Sequence, residues 1–349
     1  MSRADRSGDG DAEPPHPRET SAWFGHAAAE RALVEAYRGG RIPHAWLIGG
    51  PAGIGKATLA YRMARFVLAH PDPSAPSVQA ATTLAVDPAH PVARRIAARA
   101  HGDLLTLERT EGESGALRTV IIVEDVRRTL GFFGHTAGEG GWRVCIVDAA
   151  DELQYPQASN ALLKVLEEPP PRALFLLVSH APGRLLATIR SRCRYLALRP
   201  LAAEEVARAA AAALGRGDDD DDAAIAAAAA AADGSVGRAL QLLGGAALKV
   251  RERVSELLAA LPSVDPMALH ALGDALGRAD PQTFTTFVDT VRDWLSARLA
   301  RGAGEPARLA QVAQVWEKLN RAAREVEVFN LDRKPMVFAV FGLLADAAR

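Results

Sequence analysis

The sequence predicts an α/β domain built on a parallel sheet, and three stretches carry this prediction. Val144–Val147 is a short, partly β-branched apolar run, which is typical of a buried strand. The segment Asn160–Glu168 has apolar residues at 162, 163 and 166, so it can bury one face as a helix, and Pro169 stops it because proline lacks the N–H donor. A second apolar run, Ala173–Val178, follows. Strand, helix and strand in this order form a βαβ unit, which implies a parallel sheet.

Length and composition bound the rest of the architecture. At 349 residues the chain is long for one core, so two or three domains are expected. The hydrophobic fraction of 49% is ample for burial, and because much of it is alanine it favours helices. A formal net charge of -1 gives no global attraction to nucleic acid.

The number of cysteines and the lengths of the apolar runs indicate the cellular compartment in which the protein is expected. The two cysteines, Cys145 and Cys193, are too few for a disulfide framework or a four-cysteine zinc site, so a reduced cytoplasmic setting is expected and zinc is not. Cys145 falls in a predicted buried strand, where a thiol behaves as a small apolar side chain. No run approaches the ~18 apolar residues of a membrane span, and no secretory leader is recognised, so no membrane is expected as a partner.

The N-terminal region is predicted to pass from disorder to a helix. Residues 1–20 are rich in Gly, Asp, Glu, Pro and Arg and offer little to bury, so we expect disorder. Ser21–Tyr37 has helical spacing and is followed by Gly39 and Gly40, which signal a helix end. Ala45–Ile48 then reads as a short strand.

The segment after that strand matches a phosphate-binding P-loop through its lysine, with the glycines and the lysine at Gly50, Gly53, Gly55 and Lys56. Glycines let backbone N–H groups wrap a phosphate, and a helix from Lys56 to about residue 70 would point its positive end at the anion. A plain glycine-rich turn is the alternative, but a strand before and a helix after favour the P-loop.

One position departs from the P-loop pattern. The residue after the lysine should be Ser or Thr to hold Mg²⁺, and here it is Ala57. Thr58 comes one place late, so on a helix it faces about 100° away. We therefore expect that ATP can bind at a degenerate P-loop whose magnesium site is impaired.

The middle of the chain contributes further elements. Residues 71–100 give no clear strand, Leu104–Leu107 reads as a strand, Glu124–Leu130 as a helix, and 134–141 as a loop. Asp148, at the end of the central strand, is a Walker B-type carboxylate expected to reach Mg²⁺. In hydrolysing members of this class a glutamate follows this carboxylate, whereas here Ala149 does. Alanine at both positions argues that the chain does not hydrolyse ATP efficiently.

A basic segment closes the α/β region. Ser179 and His180 follow the strand 173–178, at the place of a polar sensor of the γ-phosphate, although a polar loop role for His180 is favoured. Arginines then occupy alternate positions 190, 192 and 194 before a strand over 195–198. For Arg190 and Arg194 we favour a solvated turn.

The rest of the chain is predicted to be helical. Helices are expected over 201–213, 223–232 and 235–243, with the acidic run Asp218–Asp222 as a solvated loop. Further helices are expected over 246–260, 266–277, 281–300, 306–328 and 334–348. Trp294 and Trp316 lie on apolar stripes, which indicates core packing. The predicted domains are 21–200 (α/β), 201–245 (small helical lid) and 246–349 (helical).

Taken together, the motifs resemble the clamp-loader branch of the AAA+ family, and within it the delta-prime subunits of bacterial DNA polymerase III. The similar segments are Gly25-His26, Gly50–Thr58, Asp148–Asp151, Asn160–Pro170, Ser191-Arg192-Cys193 and Gly234–Leu240. The Asn160–Pro170 motif is highly specific, whereas a P-loop alone is not. The resemblance covers roughly residues 17–245 strongly and the remainder weakly.

The resemblance implies specific roles. It implies that Arg192 is an arginine finger, given in trans to nucleotide on a neighbouring subunit. It implies that Arg238 contacts phosphate in cis, with a purely structural role for Arg238 left open. It implies that the C-terminal helices form an oligomerising collar. The implied partners are tau/gamma and delta subunits, with the beta sliding clamp and primed DNA reached through the complex.

Three functional hypotheses remain at this point. The first is a stator subunit with little or no ATPase activity of its own, which lends Arg192 to a tau/gamma neighbour. The second is an autonomous AAA+ ATPase of the tau/gamma motor type, against which Ala57 and Ala149 weigh. The third is a pure scaffold with a vestigial P-loop and an inert Arg192.

Overall fold

The computed structural model describes residues 15–112, 118–134, 141–216, 223–243, 246–277, 279, 281–301, 306–329 and 331–348. The chain forms two compact units, one spanning Ala12–Ala239 and the other containing Leu240–Arg349. The predicted disorder over 1–20 falls mostly outside the described residues, as does the acidic run Asp218–Asp222.

The first unit is built on a five-stranded sheet, in the order β2-β3-β4-β1-β5. All four pairings between neighbouring strands are parallel. The strands are β1 (Ala45–Gly49), β2 (Leu104–Leu107), β3 (Arg143–Asp148), β4 (Ala173–Ser179) and β5 (Arg194–Ala197). The neighbouring positions of β3 and β4 confirm the predicted βαβ unit.

Helices cover both faces of this sheet. Side chains alternate along a strand, so Trp46 and Ile48 enter one core while Ala45 and Leu47 enter the other. Cys145 is buried in the second core, as predicted. From Ala27 to Leu243 the helices, in chain order, are α1 (Ala27–Arg38), α2 (Lys56–Ala69), α3 (Pro76–Gln79), α4 (Pro91–Ala97), α5 (Val123–Gly134), α6 (Gln157–Glu167), α7 (Ala187–Arg190), α8 (Ala203–Ala213), α9 (Ala223–Ala231) and α10 (Val236–Leu243). The helices up to α7 include those that pack on the sheet.

Several helix limits differ from the prediction. The first helix begins at Ala27 and not at Ser21, because Gly25 and His26 have φ values of 65° and 49°. These left-handed conformations cannot continue a right-handed helix. Helix α6 begins three residues earlier than predicted, and α5 extends to Gly134.

The second unit is helical, as predicted. Its helices are α11 (Ala246–Ala259), α12 (Pro266–Gly277), α13 (Pro281–Arg301), α14 (Pro306–Phe329) and α15 (Arg333–Ala348). They share one apolar core, against which Trp294 and Trp316 pack with partly buried rings. The predicted fold class, a parallel α/β domain followed by helical regions, is thereby confirmed.

The predicted limits of a separate lid and collar stay a prediction. Helices α8 and α9 belong to the same compact unit as the sheet, and the boundary between units falls between Ala239 and Leu240. Among the described helices, none combines the length and apolar character that crossing a bilayer requires.

Candidate nucleotide site and its arginine

The candidate site lies where three parallel strands end at one edge of the sheet. Gly49 of β1 is in register with Ser179 of β4, and Asp148 of β3 is in register with Val178. The backbone N–H of Gly50 donates to the carbonyl of Ser179 at 3.3 Å, which ties the start of the loop to the end of β4. The sheet therefore brings the P-loop and Asp148 together.

The loop has the backbone shape that a phosphate cradle needs. Gly53 and Gly55 have φ values of 73° and 96°, conformations that other residues rarely adopt. Gly55 directly precedes α2, whose first backbone N–H groups have no partner within the helix. A helix start of this kind favours an anion, so the geometry is compatible with nucleotide binding.

Lys56 turns back onto its own loop. Its side chain is 3% exposed, and its ammonium group donates a hydrogen bond to the carbonyl oxygen of Pro51. Burial lowers the pKa of Lys56 to about 8, an effect that the nearby carboxylates of Asp148 and Asp151 oppose. The lysine is therefore held inside the loop by a backbone acceptor and by negative charge.

Asp148 lies beside this lysine. Burial raises the pKa of the Asp148 carboxyl to about 6, while the Lys56 ammonium acts in the opposite direction. Asp151 Oδ1 accepts a hydrogen bond from the backbone N–H of His180 at 2.9 Å, which links the ends of β3 and β4. Across the part of the chain that the structure describes, no group of three or more His, Cys, Asp or Glu side chains is placed to hold a metal ion.

The start of α10 docks directly on the loop. Ser235 Oγ donates to the carbonyl of Ala52 at 3.0 Å, and the backbone N–H of Gly237 donates to the carbonyl of Gly53 at 3.0 Å. The approach is so close that a Cβ on Gly53 would lie 2.2 Å from Ser235 Oγ. Sequence reasoning missed this role of Ser235. A serine just before a helix is an N-cap signal, and its Oγ does accept from the backbone N–H of Arg238 at 3.2 Å.

The N-terminal segment packs against the loop from another side. His26 Nε2 lies 3.0 Å from the carbonyl oxygen of Ile54. A Cβ on Gly25 would lie 2.3 Å from Leu201 Cδ2, so this glycine allows the segment to come close to Leu201, just before α8. The Gly25-His26 pair therefore connects the P-loop to the region before α8, a function that its sequence alone did not reveal.

For two of the predicted site residues, Thr58 and Arg238, the structure gives a position without a contact that indicates phosphate binding. Thr58 lies half-buried on α2, two residues after Lys56. Arg238 lies on α10, where its Nη1 forms an ion pair with Asp233 Oδ2 at 3.1 Å. The predicted contact of Arg238 with phosphate stays a prediction.

Arg192 lies between α7 and β5 with 34% of its side chain exposed. Its Nη2 donates to Glu167 Oε1 at 2.7 Å, and its Nη1 donates to the carbonyl of Thr188 at 2.9 Å. Both partners lie outside the P-loop, on α6 and α7. The predicted finger is thus anchored to its own chain at two points, and Glu167 is a partner that sequence reasoning did not identify.

The chain is similar to known subunits of DNA polymerase III. Residues 25–202 match the family described as "DNA polymerase III, delta subunit". The DNA polymerase III subunit delta' of Pseudomonas aeruginosa is 39% identical over 44% of this chain and 43% of its own length. The subunit delta' of Escherichia coli is 34% identical over 68% of this chain and 66% of its own length.

A more distant relative is the DNA polymerase III subunit tau of Salmonella typhimurium, which is 29% identical over 75% of this chain and 36% of that protein. The chain therefore spans 43% and 66% of the length of these two delta' subunits, and 36% of tau. On the family match and these relatives, the chain belongs to the delta-prime family of DNA polymerase III clamp-loader subunits.

Proposed function

We propose that this chain is a stator subunit of the clamp loader, which gives Arg192 in trans to nucleotide bound by a neighbouring tau/gamma subunit. The assembled complex, which also contains delta, loads the beta sliding clamp onto primed DNA in the cytoplasm. The observation that carries the proposal is the contrast between two sites: an anchored, partly exposed Arg192 and a P-loop without hydrolytic groups.

The chain's own site supports a binding role more than a catalytic one. The loop from Gly50 to Lys56 offers backbone N–H groups and one ammonium group to a triphosphate. The donor set does not fit Mg²⁺, because Ala57 has no hydroxyl group and Asp148 is a single buried carboxyl group with a raised pKa. Ala149 has no group to orient an attacking water, so hydrolysis by this chain is at background.

Arg192 has the chemistry for action in trans. A guanidinium is always charged and planar, so it can neutralise charge that develops on a transferring phosphoryl group. A finger supplied from another subunit contributes about 10³–10⁵ in rate in related NTPases. A subunit with a silent site of its own can therefore still be required for turnover by its neighbour.

Replacement of Arg192 in the reconstituted loader tests the proposal. Arg192→Ala is expected to leave assembly intact and to lower ATP turnover by the complex. Arg190→Ala is the matched control, because Arg190 is an exposed arginine two residues away and is expected to be neutral. Unchanged turnover in the Arg192→Ala complex would refute the finger and favour the pure scaffold.

ATP turnover by the isolated chain distinguishes the stator hypothesis from that of an autonomous motor. The purified chain is expected to show background ATP turnover, whereas a tau/gamma-type motor would turn over ATP and lose this activity in Lys56→Ala. Titration with a fluorescent ATP analogue, comparing wild type with Lys56→Ala, reports binding separately from turnover.

A further inference from the structure

Two anchors hold the guanidinium of Arg192, and they come from different helices. Glu167 is the last residue of α6, where it accepts from Nη2 at 2.7 Å. Thr188 belongs to α7, and its carbonyl accepts from Nη1 at 2.9 Å. One amino group is fixed by a carboxylate and the other by a backbone oxygen, so both the position and the plane of the guanidinium are defined.

The anchored group keeps hydrogen-bonding capacity. Arginine carries five N–H donors, and the contacts with Glu167 and Thr188 use two of them. Three N–H donors remain for an acceptor from another molecule. The side chain is also 34% exposed, so a partner can reach it. A phosphate can therefore bind while both anchors stay in place.

Glu167 lies at the end of a helix that is anchored in the core, so its backbone position is well defined. Helix α6 ends at Glu167, and the prolines from Pro169 onward prevent its continuation. Leu162 and Leu166 of the same helix are 0% and 1% exposed in the core of the first unit. The end of α6 is thus attached to a packed core, whereas Arg192 follows a helix of only four residues.

The contact with Glu167 could either hold Arg192 away from a phosphate or hold it in position for one, and the size of the interaction decides between these roles. An exposed ion pair biases an equilibrium by at most about fivefold, which is too little to hold an arginine away from a phosphate. Misplacement of a catalytic group by about 1 Å, in contrast, can cost about 10²-fold in rate. The contact is therefore too weak to hold Arg192 away from a phosphate. Because a misplaced guanidinium contributes little, loss of the contact lowers turnover by the lost population, which is up to about fivefold.

We infer that Glu167 is the positioning residue for Arg192, holding its guanidinium in the orientation that the neighbouring subunit's phosphate requires. This inference rests on the proposed function of Arg192. Glu167 acts through Arg192 and does not itself contact nucleotide. Loss of its side chain lowers the rate of turnover and leaves the neighbour's affinity for ATP unchanged, because that subunit's own P-loop binds the substrate.

The test measures kcat and KM for ATP in reconstituted complexes. The turnover that depends on Arg192 is obtained by subtracting the turnover of the Arg192→Ala complex from that of the wild-type complex. Glu167→Ala is expected to lower this turnover by about two- to fivefold with KM unchanged, because an exposed ion pair biases the orientation by no more than that. Glu167→Gln is expected to retain most of it, because the amide oxygen accepts the same hydrogen bond. Glu168→Ala, at the adjacent exposed glutamate, is the control and is expected to match wild type.

The outcomes separate the two hypotheses. If Arg192→Ala lowers turnover while Glu167→Ala matches or exceeds wild type, the positioning role is overturned and the finger stands. A raised KM with unchanged kcat in Glu167→Ala also overturns it. If Arg192→Ala itself has no effect, the proposed function fails and this inference fails with it. Co-elution with the partner subunits and thermal melts of each variant ensure that every comparison uses a folded, assembled chain.

Discussion

Ser235 and Ala52 join the start of α10 to the phosphate-binding loop across 183 residues of sequence, through a hydrogen bond of 3.0 Å from Oγ to the carbonyl oxygen. Ser235 is 9% exposed, so water has little access to this contact. The same hydroxyl accepts from the backbone N–H of Arg238. One side chain therefore caps a helix and holds that helix on the loop.

Removal of this hydroxyl is expected to destabilise the first unit. Ser235→Ala removes the hydrogen bond to the carbonyl of Ala52 and the helix cap at the N–H of Arg238, which should cost about 1–3 kcal/mol of unfolding free energy. Urea denaturation followed by circular dichroism measures the change. Ser74→Ala is the control, because its hydroxyl bonds to Asp72 at an exposed site and should change stability by less than about 0.5 kcal/mol. Equal losses in the two variants would contradict a structural role for Ser235.

The close approach at Gly53 gives a second prediction. Gly53→Ala and Gly40→Ala both place a Cβ at a positive φ, 73° and 69° respectively. Around Gly40 the space is open, whereas at Gly53 the new Cβ would lie 2.2 Å from Ser235 Oγ. We expect Gly40→Ala to cost about 1–2 kcal/mol from backbone strain alone, and Gly53→Ala to cost distinctly more.

Denaturant midpoints of the two alanine variants check this difference. The excess cost at Gly53 should shrink when Ser235→Ala removes the clashing oxygen. Similar stability of the two single variants would show that α10 does not press on the loop in solution.

The pKa of Lys56 predicts a pH-dependent stability. Its ordinary value of 10.5 is lowered to about 8 in the folded chain, chiefly by burial. Between these pH values the unfolded state binds the proton more strongly, so the unfolding free energy rises with pH. Below pH 8 the buried ammonium group lowers the unfolding free energy by its full amount, about 3 kcal/mol. Above pH 10.5 this destabilisation is absent, because the lysine is neutral in both states.

Urea melts between pH 7.5 and about 10.5 measure this slope. Lys56→Met should remove most of the rise relative to wild type. Lys164→Met, at an exposed lysine of α6, should keep the wild-type slope. A Lys56→Met curve that runs parallel to wild type would mean that the lysine is not buried as the structure has it.

Ala57 gives a prediction about magnesium. Ala57→Thr supplies the hydroxyl group that a P-loop uses for Mg²⁺, whereas Ala57→Val has almost the same shape without the oxygen. For the wild type and Ala57→Val, Mg²⁺ should change the affinity for a fluorescent ATP analogue little. For Ala57→Thr, Mg²⁺ should tighten binding several-fold. Titrations in Mg²⁺ and in EDTA provide the measurement, and strong Mg²⁺ dependence in wild type would contradict the impaired site.

Local patterns determined much of this protein from its sequence. Strand β3, helix α6 and strand β4 could be placed because apolar periodicity reports burial directly, and Pro169 reports a helix end. The P-loop and Asp148 could each be recognised from a local motif that follows a predicted strand. The missing oxygens at Ala57 and Ala149 follow from residue identity alone, so no structure was needed to find them.

Contacts between distant residues were decided only by the tertiary structure. The start of α1 at Ala27 depends on how Gly25 packs against Leu201, which helical spacing cannot report. The bond from Ser235 to Ala52 and the pair of Arg192 with Glu167, 25 residues apart, likewise have no local signature. Sequence specified which groups the chain carries and which faces it buries. Packing of the elements decided which of those groups meet, because side-chain contacts depend on distances between elements that no short window of sequence contains.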